Sequence, residues 1–367
     1  MKRIWSQCIK ELAQFRRDRL TLALAFLLPL LTLVIFGFAI RLETKNIPLV
    51  VQDFDQSYLS HSYIERLFAT KQFQPAAWSG NQPVQALDQG IAKAAIIIPP
   101  EFSRRIKSDK SSAVQVLVDG TDANNARVIQ NSIQATTNFF LSSSGLQSGT
   151  DQVVARIRLW FNPGRQESLY IVPGVYALIF WIYPSLLAAI ALVREKEKGT
   201  ILQVYASSLS ATELLLGKGL AYLLVGIAET LLIMALGLLL FGLWFVGDST
   251  PFLIGTLLFL STSVLFGLFI GSRASNQNAA VQAVATIGFL SALLLSGFIY
   301  PLSNIPFPLS LFTYIVPARY YIEITRDAFV RNTGWPGVWY CPLILILLAL
   351  LLFNGARRTL QQMQLPE

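Results

Sequence analysis

Between Val193 and Lys218 the chain reads VREKEKGTILQVYASSLSATELLLGK. Five consecutive charges, Arg194 to Lys198, follow directly on the uncharged run Ser168–Val193, and a second apolar run, Gly219–Gly247, comes after the segment. Read alone, REKEKGT is an ordinary charged stop that holds a hydrophobic helix at the membrane surface. The residues that follow point further. Gly199-Thr200 breaks the helix, Leu202–Tyr205 resumes an apolar pattern, and Ser207–Ser210 makes a second break. Thr212 is then placed to cap a new helix, ELLLGKGLAYLL, that runs into the next apolar stretch. A short helix held between two breaks beneath a membrane is a lever, and its charged approach is a docking surface.

The rest of the chain agrees with a membrane setting. Of 367 residues, 53% are hydrophobic and 14% charged, with mean hydropathy +0.52. A soluble domain carries roughly 25% charged residues. The net charge of +8 sits beside apolar runs, where Lys and Arg orient helices and meet anionic lipid. No basic motif of a nucleic-acid-binding class occurs, so a nucleic-acid partner is not expected. Two cysteines, Cys8 and Cys341, flank opposite ends of the membrane region and are not expected to pair. With no CxxC and one histidine, His61, no metal site is expected.

A bilayer-crossing helix needs about 20 apolar residues. Leu20–Ile40, Ser168–Val193, Ser249–Ser272 and Asn332–Ala356 carry no charge, Gly219–Gly247 carries only Glu229, and Ala274–Ala318 is uncharged but too long for one helix. These runs predict six helices near 21–40, 173–193, 220–245, 252–271, 278–299 and 338–356. The first is an anchor, since no small-residue cleavage site follows it. Before it, Lys2, Arg3, Lys10, Arg16, Arg17 and Arg19 outnumber Glu11 and Asp18, which places the N-terminus in the cytoplasm. Six crossings return the C-terminus to the same side. Arg319, Arg326 and Arg331, in the last outer segment, dissent mildly. Ile4, Cys8, Leu12 and Phe15 recur at helical spacing, so residues 4–19 read as an interfacial helix.

Residues 41–172 are polar and mixed, and on this topology they lie outside. NIPLVVQD ends a strand at Asp53, Ser57–Thr70 is a helix opened by a Ser cap, and AKAAIIIPP ends a buried strand at Pro99. SAVQVLVDG is a further strand closed by Gly120, and Asp122–Ser142 a longer helix. Alternating patterns of this kind imply an α/β module, followed by a Ser/Gly-rich loop at Ser142–Thr150. His61 lies in this module and reads as a lone surface histidine.

No phosphate-binding loop is present: LLLGKGL lacks the first Gly and the Ser/Thr of that motif. Nor is there an H-E-x-x-H or a G-x-S-x-G. The chain reads as no enzyme, and any energy from ATP must come from a partner.

Three strings carry a family resemblance: REKEKGT with SSLSATELLLGK, WFNPGRQESLYIVPG at Trp160–Gly174, and SGFIYPLSNIPFPLSLFTYIVPARYYIEITRDAFVR at Ser296–Arg331. The chain resembles the permeases of bacterial ABC-2 type exporters, of the subgroup with a large extracytoplasmic domain between the first two spans. That resemblance implies a membrane all-α fold of six transmembrane helices with an inserted extracytoplasmic α/β domain. Its parts would be a cytoplasmic interfacial helix at 1–20, a first span at 21–40, the α/β domain at 41–172, spans two to six within 173–357 and a cytoplasmic tail at 358–367. The cytoplasmic loop 194–218 would hold a coupling helix around Gly199–Ser208, and Arg194, Glu195, Lys196, Glu197, Gly199 and Thr200 would meet a separate ABC ATPase subunit. ATP and Mg would act only there. A second permease copy or close paralogue, and a periplasmic adaptor, complete the implied partners, in a bacterial inner membrane with both termini cytoplasmic.

The four prolines Pro301, Pro306, Pro308 and Pro317 follow a full span, and irregular backbone at membrane depth needs protein or water around it. Residues 300–331 therefore read as a segment dipping into the outer leaflet, with an ordinary interfacial loop as the plainer reading. Arg319, Tyr320, Tyr321, Glu323 and Arg326 would form a polar rim at the outer mouth. Within the spans, Glu229 and Gln282 are the polar residues singled out. Glu229 reads either as a substrate contact or proton-sensitive element of the pathway, or as a structural group, protonated or hydrogen-bonded to a polar neighbour such as Gln282 or Ser291. The function the resemblance implies is outward movement of an amphiphile, a drug, lipid or similar, by an ATP-driven exporter. The rivals are a membrane-anchored surface or secretion-accessory protein and a secondary transporter. The first leaves REKEKGT unexplained, and the second wants more ionisable groups inside the spans than Glu229.

Overall fold

The computed structural model describes residues 1–39, 46–78, 80, 82–108, 112–119, 123–143, 168–201, 209–300 and 302–362. The readings at Gly120, Asp122, 144–167, 202–208 and Pro301 lie outside the described residues. The chain divides into two compact units, one of 1–40 with 158–367 and one of 41–157.

The chain begins with α1 (Lys2–Arg17) and α2 (Arg19–Ala39). α1 starts earlier than the spacing indicated and buries Gln7, Cys8, Glu11 and Phe15, while Trp5 and Ile9 stay exposed on its flank. Asp18 separates the two helices and caps the second: its carboxylate accepts from the backbone N–H of Leu20 at 3.1 Å and of Thr21 at 3.2 Å.

The second unit contains β1 (Ile47–Asp53), α3 (Tyr58–Ala69), β2 (Phe73–Pro75), α4 (Pro83–Asp88), β3 (Ala94–Ile98), α5 (Phe102–Lys107), β4 (Gln115–Val118) and α6 (Ala123–Ser143). Its sheet runs β2-β1-β3-β4. β1 pairs in parallel with β2 and β3, with Val51 opposite Ile96, and β4 closes the edge antiparallel to β3. Ile47, Leu49, Ile96 and Ile98 on one face of the sheet pack with Tyr63, Leu67, Ile133 and Phe140 from α3 and α6. The other face holds a smaller core of Val50, Ala86, Ala92 and Ala95. α3 starts at a capping box in which Ser57 and Ser60 satisfy each other's backbone N–H. His61 is exposed, and its Nδ1 lies 2.7 Å from the Ser57 carbonyl.

The first unit resumes with α7 (Ser168–Glu197), α8 (Ala211–Phe241), α9 (Thr250–Arg273) and α10 (Gln277–Leu295). Short turns follow, α11 (Leu309–Phe312), α12 (Pro317–Arg326) and α13 (Trp335–Val338), and then α14 (Tyr340–Gln362). Among the described residues six helices, α2, α7, α8, α9, α10 and α14, are long and apolar enough to cross a membrane. α7 is the central one. Its most apolar window is 78% buried and that of α9 is 61%, against 22–33% for the other four. α7 and α9 approach closely because α9 presents Gly267 and Gly271 to the backbone of Ser185 and Ala189, the small-residue device of membrane helix pairs. Ser185 and Ser263 add a hydroxyl contact of 2.9 Å between the same helices.

α12 is drawn into this core. Tyr321 stacks on Phe259 with ring centroids 4.2 Å apart, and its hydroxyl lies 2.8 Å from that of Thr256. Tyr321 therefore belongs to the packing and not to a polar rim: on a helix, Arg319 and Tyr321 point to different sides. α10 is interrupted by π-helical turns at Val284–Phe289, where Trp181 Nε1 donates to the Gly288 carbonyl at 3.2 Å.

Candidate functional site

α7 does not end where its charges begin. It stays helical through Glu197 and breaks at Gly199, whose φ of +67° suits glycine. Successive helical residues turn by about 100°, so four charges in a row radiate around the helix end and reach four different neighbours. Arg194 donates to Asp18 at 2.8 Å and to Thr21 Oγ1 at 3.2 Å, at the junction of α1 and α2. The Thr21 hydroxyl, its N–H and Arg194 hold the Asp18 carboxyl below its ordinary value. Lys196 Nζ donates to the carbonyls of Gly271 at 2.9 Å and Ser272 at 2.5 Å, the orphan acceptors at the end of α9. Glu197 accepts the Gln277 N–H at 2.8 Å and its side-chain amide. A cation thus meets a helix C-terminus and an anion the first turn of the next helix, each with the sign the helix dipole favours. Thr200 Oγ1 donates to the Glu195 carbonyl at 3.3 Å, folding the turn back on α7.

Glu195 points inward. Its Oε1 accepts from Lys10 at 2.7 Å, and its Oε2 lies 3.1 Å from Lys218 Nζ without the angle of a hydrogen bond. Lys218, on α8, donates to Glu11 at 2.7 Å, and Gln7 holds the same Glu11 oxygen at 3.0 Å. Burial raises the Glu11 carboxyl, against the pull of Lys218. The result is a network of two buried carboxylates, the buried Lys218 and the half-exposed Lys10, joining α1, α7 and α8. Glu195, 6% exposed, is occupied within the chain and does not offer its carboxylate to a docked protein. Lys10, Glu11, Asp18 and Lys218 were not singled out by sequence. Their one local signal is an acid in the apolar stripe of α1: Glu11 shares a face with Cys8 and Phe15. α8 opens at a capping box made by Ser210 with Glu213, two residues before the expected Thr212.

A second group lies on α12. Arg319, Glu323 and Arg326 are half-buried along one side of it. Arg319 donates to Thr313 Oγ1 at 2.6 Å and lies over the Tyr314 ring. Glu323 pairs with Arg331 at 2.6 Å. Arg326 donates to the Gly297 carbonyl at 3.1 Å and stacks on Tyr170. Tyr320 is buried and donates to the Tyr314 carbonyl at 2.8 Å, so it supports this row from behind.

The expected pairing of Glu229 is not formed. Glu229 is fully buried on α8, and neither oxygen finds a hydrogen-bond partner among the described residues. Gln282 is exposed on α10. Ser291 donates back to Ile287 and Gly288 of its own helix, the usual resort of a hydroxyl in a membrane helix.

Five spans packed with a central sixth, whose charged tail anchors four neighbouring segments, are the frame of a membrane transport subunit. Residues 19–356 match the family described as ABC-2 family transporter protein, and the chain belongs to that family. It is 26% identical over 360 residues to the probable multidrug ABC transporter permease YbhS of Escherichia coli (strain K12), covering 97% of this chain and 94% of that one. It is 27% identical over 354 residues to the probable multidrug ABC transporter permease YbhR of the same strain, covering 94% and 95%. With the inner membrane transport permease YhhJ, also of that strain, identity is 26% over 370 residues, covering 95% and 94%. The chain is accordingly a permease subunit rather than an enzyme, and its family implies an ABC ATPase as partner.

Proposed function

We propose that this permease moves an amphiphilic substrate, a drug, lipid or similar molecule, outward across a bacterial inner membrane, driven by ATP and Mg on a separate ATPase subunit. Both termini are then cytoplasmic and the unit of residues 41–157 is extracytoplasmic, open to a periplasmic adaptor. The observation that carries the reading is the tail of α7. Because Arg194, Glu195, Lys196 and Glu197 bind the α1–α2 junction, α1 with α8, the end of α9 and the start of α10, a push on this end is passed to all of them together. The described charges act as the inner anchor of the lever, and the face offered to the ATPase lies beyond them, from Gly199 onward.

The exposed face of α10 supports a second permease copy or close paralogue. Asn278, Gln282 and Thr286 are exposed along it, and polar side chains facing lipid are costly. An apolar groove of about 590 Å³ between Ile287, Leu290, Leu294, Tyr300, Ile305 and Leu309 continues the same surface. A second subunit there leaves the route between the two copies, with Arg319, Glu323 and Arg326 at its outer mouth.

The test is native mass spectrometry of the detergent-solubilised complex expressed with its ATPase. Two membrane and two ATPase subunits are expected, with hydrolysis absent from the permease alone. A stable monomer that transports would remove the half-pathway reading.

A further inference from the structure

At the α1 end of the bundle, a cavity of about 580 Å³ opens between the end of α1, the start of α2, the tail of α7 and α8. Its wall carries four cations, Arg17, Arg19, Arg194 and Lys198, and three acids, Glu11, Asp18 and Glu195. The acids are already engaged. Asp18 is held by Arg194 and Thr21, and Glu11 and Glu195 by Lys218 and Lys10. Arg17, Arg19 and Lys198 are exposed and have no ion pair or side-chain hydrogen bond among the described residues. The cavity therefore keeps three uncompensated cations.

Two further features give it the shape of a site rather than a patch. Tyr222 lines it from α8 and is only 6% exposed as a residue, while its hydroxyl, with no hydrogen-bond partner among the described residues, stays open to the cavity. A phenolic hydroxyl open to the cavity is free to donate to an acceptor bound there. Beside the cations, Leu20 is 71% exposed and begins an outward apolar stripe continued by Leu27 and Leu31 on α2. A cationic pocket that opens onto an exposed apolar helix flank, at the end of a membrane span, fits a molecule with an anionic head and a hydrocarbon tail.

We propose that this cavity binds the phosphate headgroup of an anionic phospholipid, held by Arg17, Arg19 and Lys198 and by a hydrogen bond from Tyr222, with an acyl chain along Leu20 and the flank of α2. The site joins the interfacial helix to the tail of α7, so an occupied site braces the two elements on which the lever turns. It rests on the proposed orientation only for the leaflet, which is then the cytoplasmic one. The binding itself does not depend on it.

The experiment is native mass spectrometry of the full chain released from micelles containing equal amounts of phosphatidylglycerol and phosphatidylcholine. The wild type should retain phosphatidylglycerol in clear preference. The Arg17→Gln, Arg19→Gln, Lys198→Gln triple variant should lose that preference while keeping the wild-type elution volume and thermal midpoint. Tyr222→Phe, which changes no charge, should weaken retention by itself, and that result stands even where the triple variant fails to fold. Inorganic phosphate in millimolar excess should leave the lipid bound, since it has no chain to place on α2. Equal retention of both lipids by the wild type overturns the proposal, as does unchanged retention in both variants. Displacement by phosphate alone would reassign the site to a free anion. Loss of ATPase binding in the triple variant with lipid retention intact would reassign the cations to the partner subunit. Failure of the orientation alone would show in accessibility labelling and leave the lipid result standing.

Discussion

Lys218 and Glu11 stand 207 positions apart in sequence and 2.7 Å apart in space, with 0% and 2% of each residue exposed. An ammonium enclosed in this way is tolerated only with its charge answered, and Glu11, Glu195 and the Ala191 carbonyl at 3.4 Å answer it. Lys218→Met should therefore strand two carboxylates with Lys10 as their one remaining cation. The expected loss is about 3–5 kcal/mol, read as a lower unfolding midpoint in detergent. Adding Glu11→Met should restore much of it, since Glu195 keeps Lys10. A single variant that melts with the wild type would show that the network contributes nothing.

The tail of α7 should respond residue by residue according to what each charge touches. Lys196→Met removes the donor to the last carbonyls of α9 and should cost about 1.5–3 kcal/mol, the range for hydrogen bonds to a charged group. It should also reduce ATPase stimulation by substrate. Glu197→Gln, at an exposed position that can still accept from Gln277, should leave the midpoint unmoved. The comparison is one melting series and one coupled hydrolysis assay. Equal effects at the two positions would mean that the segment acts as an undivided charged surface.

How far the sequence led depends on how local each signal is. Apolar runs between charges located the spans, and Ser57 announced α3 because a cap needs only its next three residues. β2 is three residues long and leaves no pattern. Arg194 to Glu197 read as one outward cluster because adjacency in sequence conceals the turn of the helix, which sends each charge to a different partner. Lys10 and Glu195 are 185 positions apart, and nothing near either residue names the other. Tyr321 followed Arg319 and Tyr320 in a string that looked like a rim, yet the same turn carries it into the aromatic core. Gln282 seemed a partner for Glu229 because both are polar in apolar runs, whereas the two helices show those residues to different surroundings.

Gly267 tests the packing that positions the lever. A Cβ there would fall on the backbone of Ser185, and one at Gly271 would come within 2.8 Å of the Ala189 carbonyl oxygen. Backbone cannot step aside as a flexible side chain can. Gly267→Ala should cost about 1–3 kcal/mol by overpacking, and Gly267→Leu should abolish recovery of folded protein. Gly219→Ala, whose Cβ would meet only Leu268 at 3.8 Å, is the matched control. Similar yields from all three variants would contradict the close α7–α9 contact.

Accessibility labelling tests the orientation. Cys8 and Cys341 are both buried and can be replaced to give a cysteine-free background. Ser108 and Gln361 are exposed. Ser108→Cys should react with a membrane-impermeant maleimide in intact spheroplasts, and Gln361→Cys only after permeabilisation. The reverse pattern would invert the topology and place the α7 tail on the side away from any ATPase.

Glu229 asks why an acid is kept where the fold gives it nothing. Both its oxygens lack a hydrogen-bond partner among the described residues. The neighbouring Tyr183, within electrostatic reach of it, already shares its hydroxyl with Thr32 at 2.5 Å. Thr230, beside it in sequence, has a buried hydroxyl that is also without a partner. An acid at the centre of a membrane helix costs about 2.5–3.5 kcal/mol on insertion scales. Leucine has a similar volume and no polar atom, so Glu229→Leu should raise the unfolding midpoint of the purified subunit. Glu229→Gln keeps the shape and leaves an amide equally unpartnered, and should melt near the wild type. Transport measured on the same variants then separates the two reasons for the residue. If the leucine variant is more stable and still transports, the acid is a tolerated defect. If it is more stable and transport is lost, the carboxyl serves translocation at the expense of the resting fold, as functional sites commonly do. A lower midpoint for Glu229→Leu would mean that the carboxyl has a stabilising partner in the folded subunit, and the reading of an orphaned acid would fail.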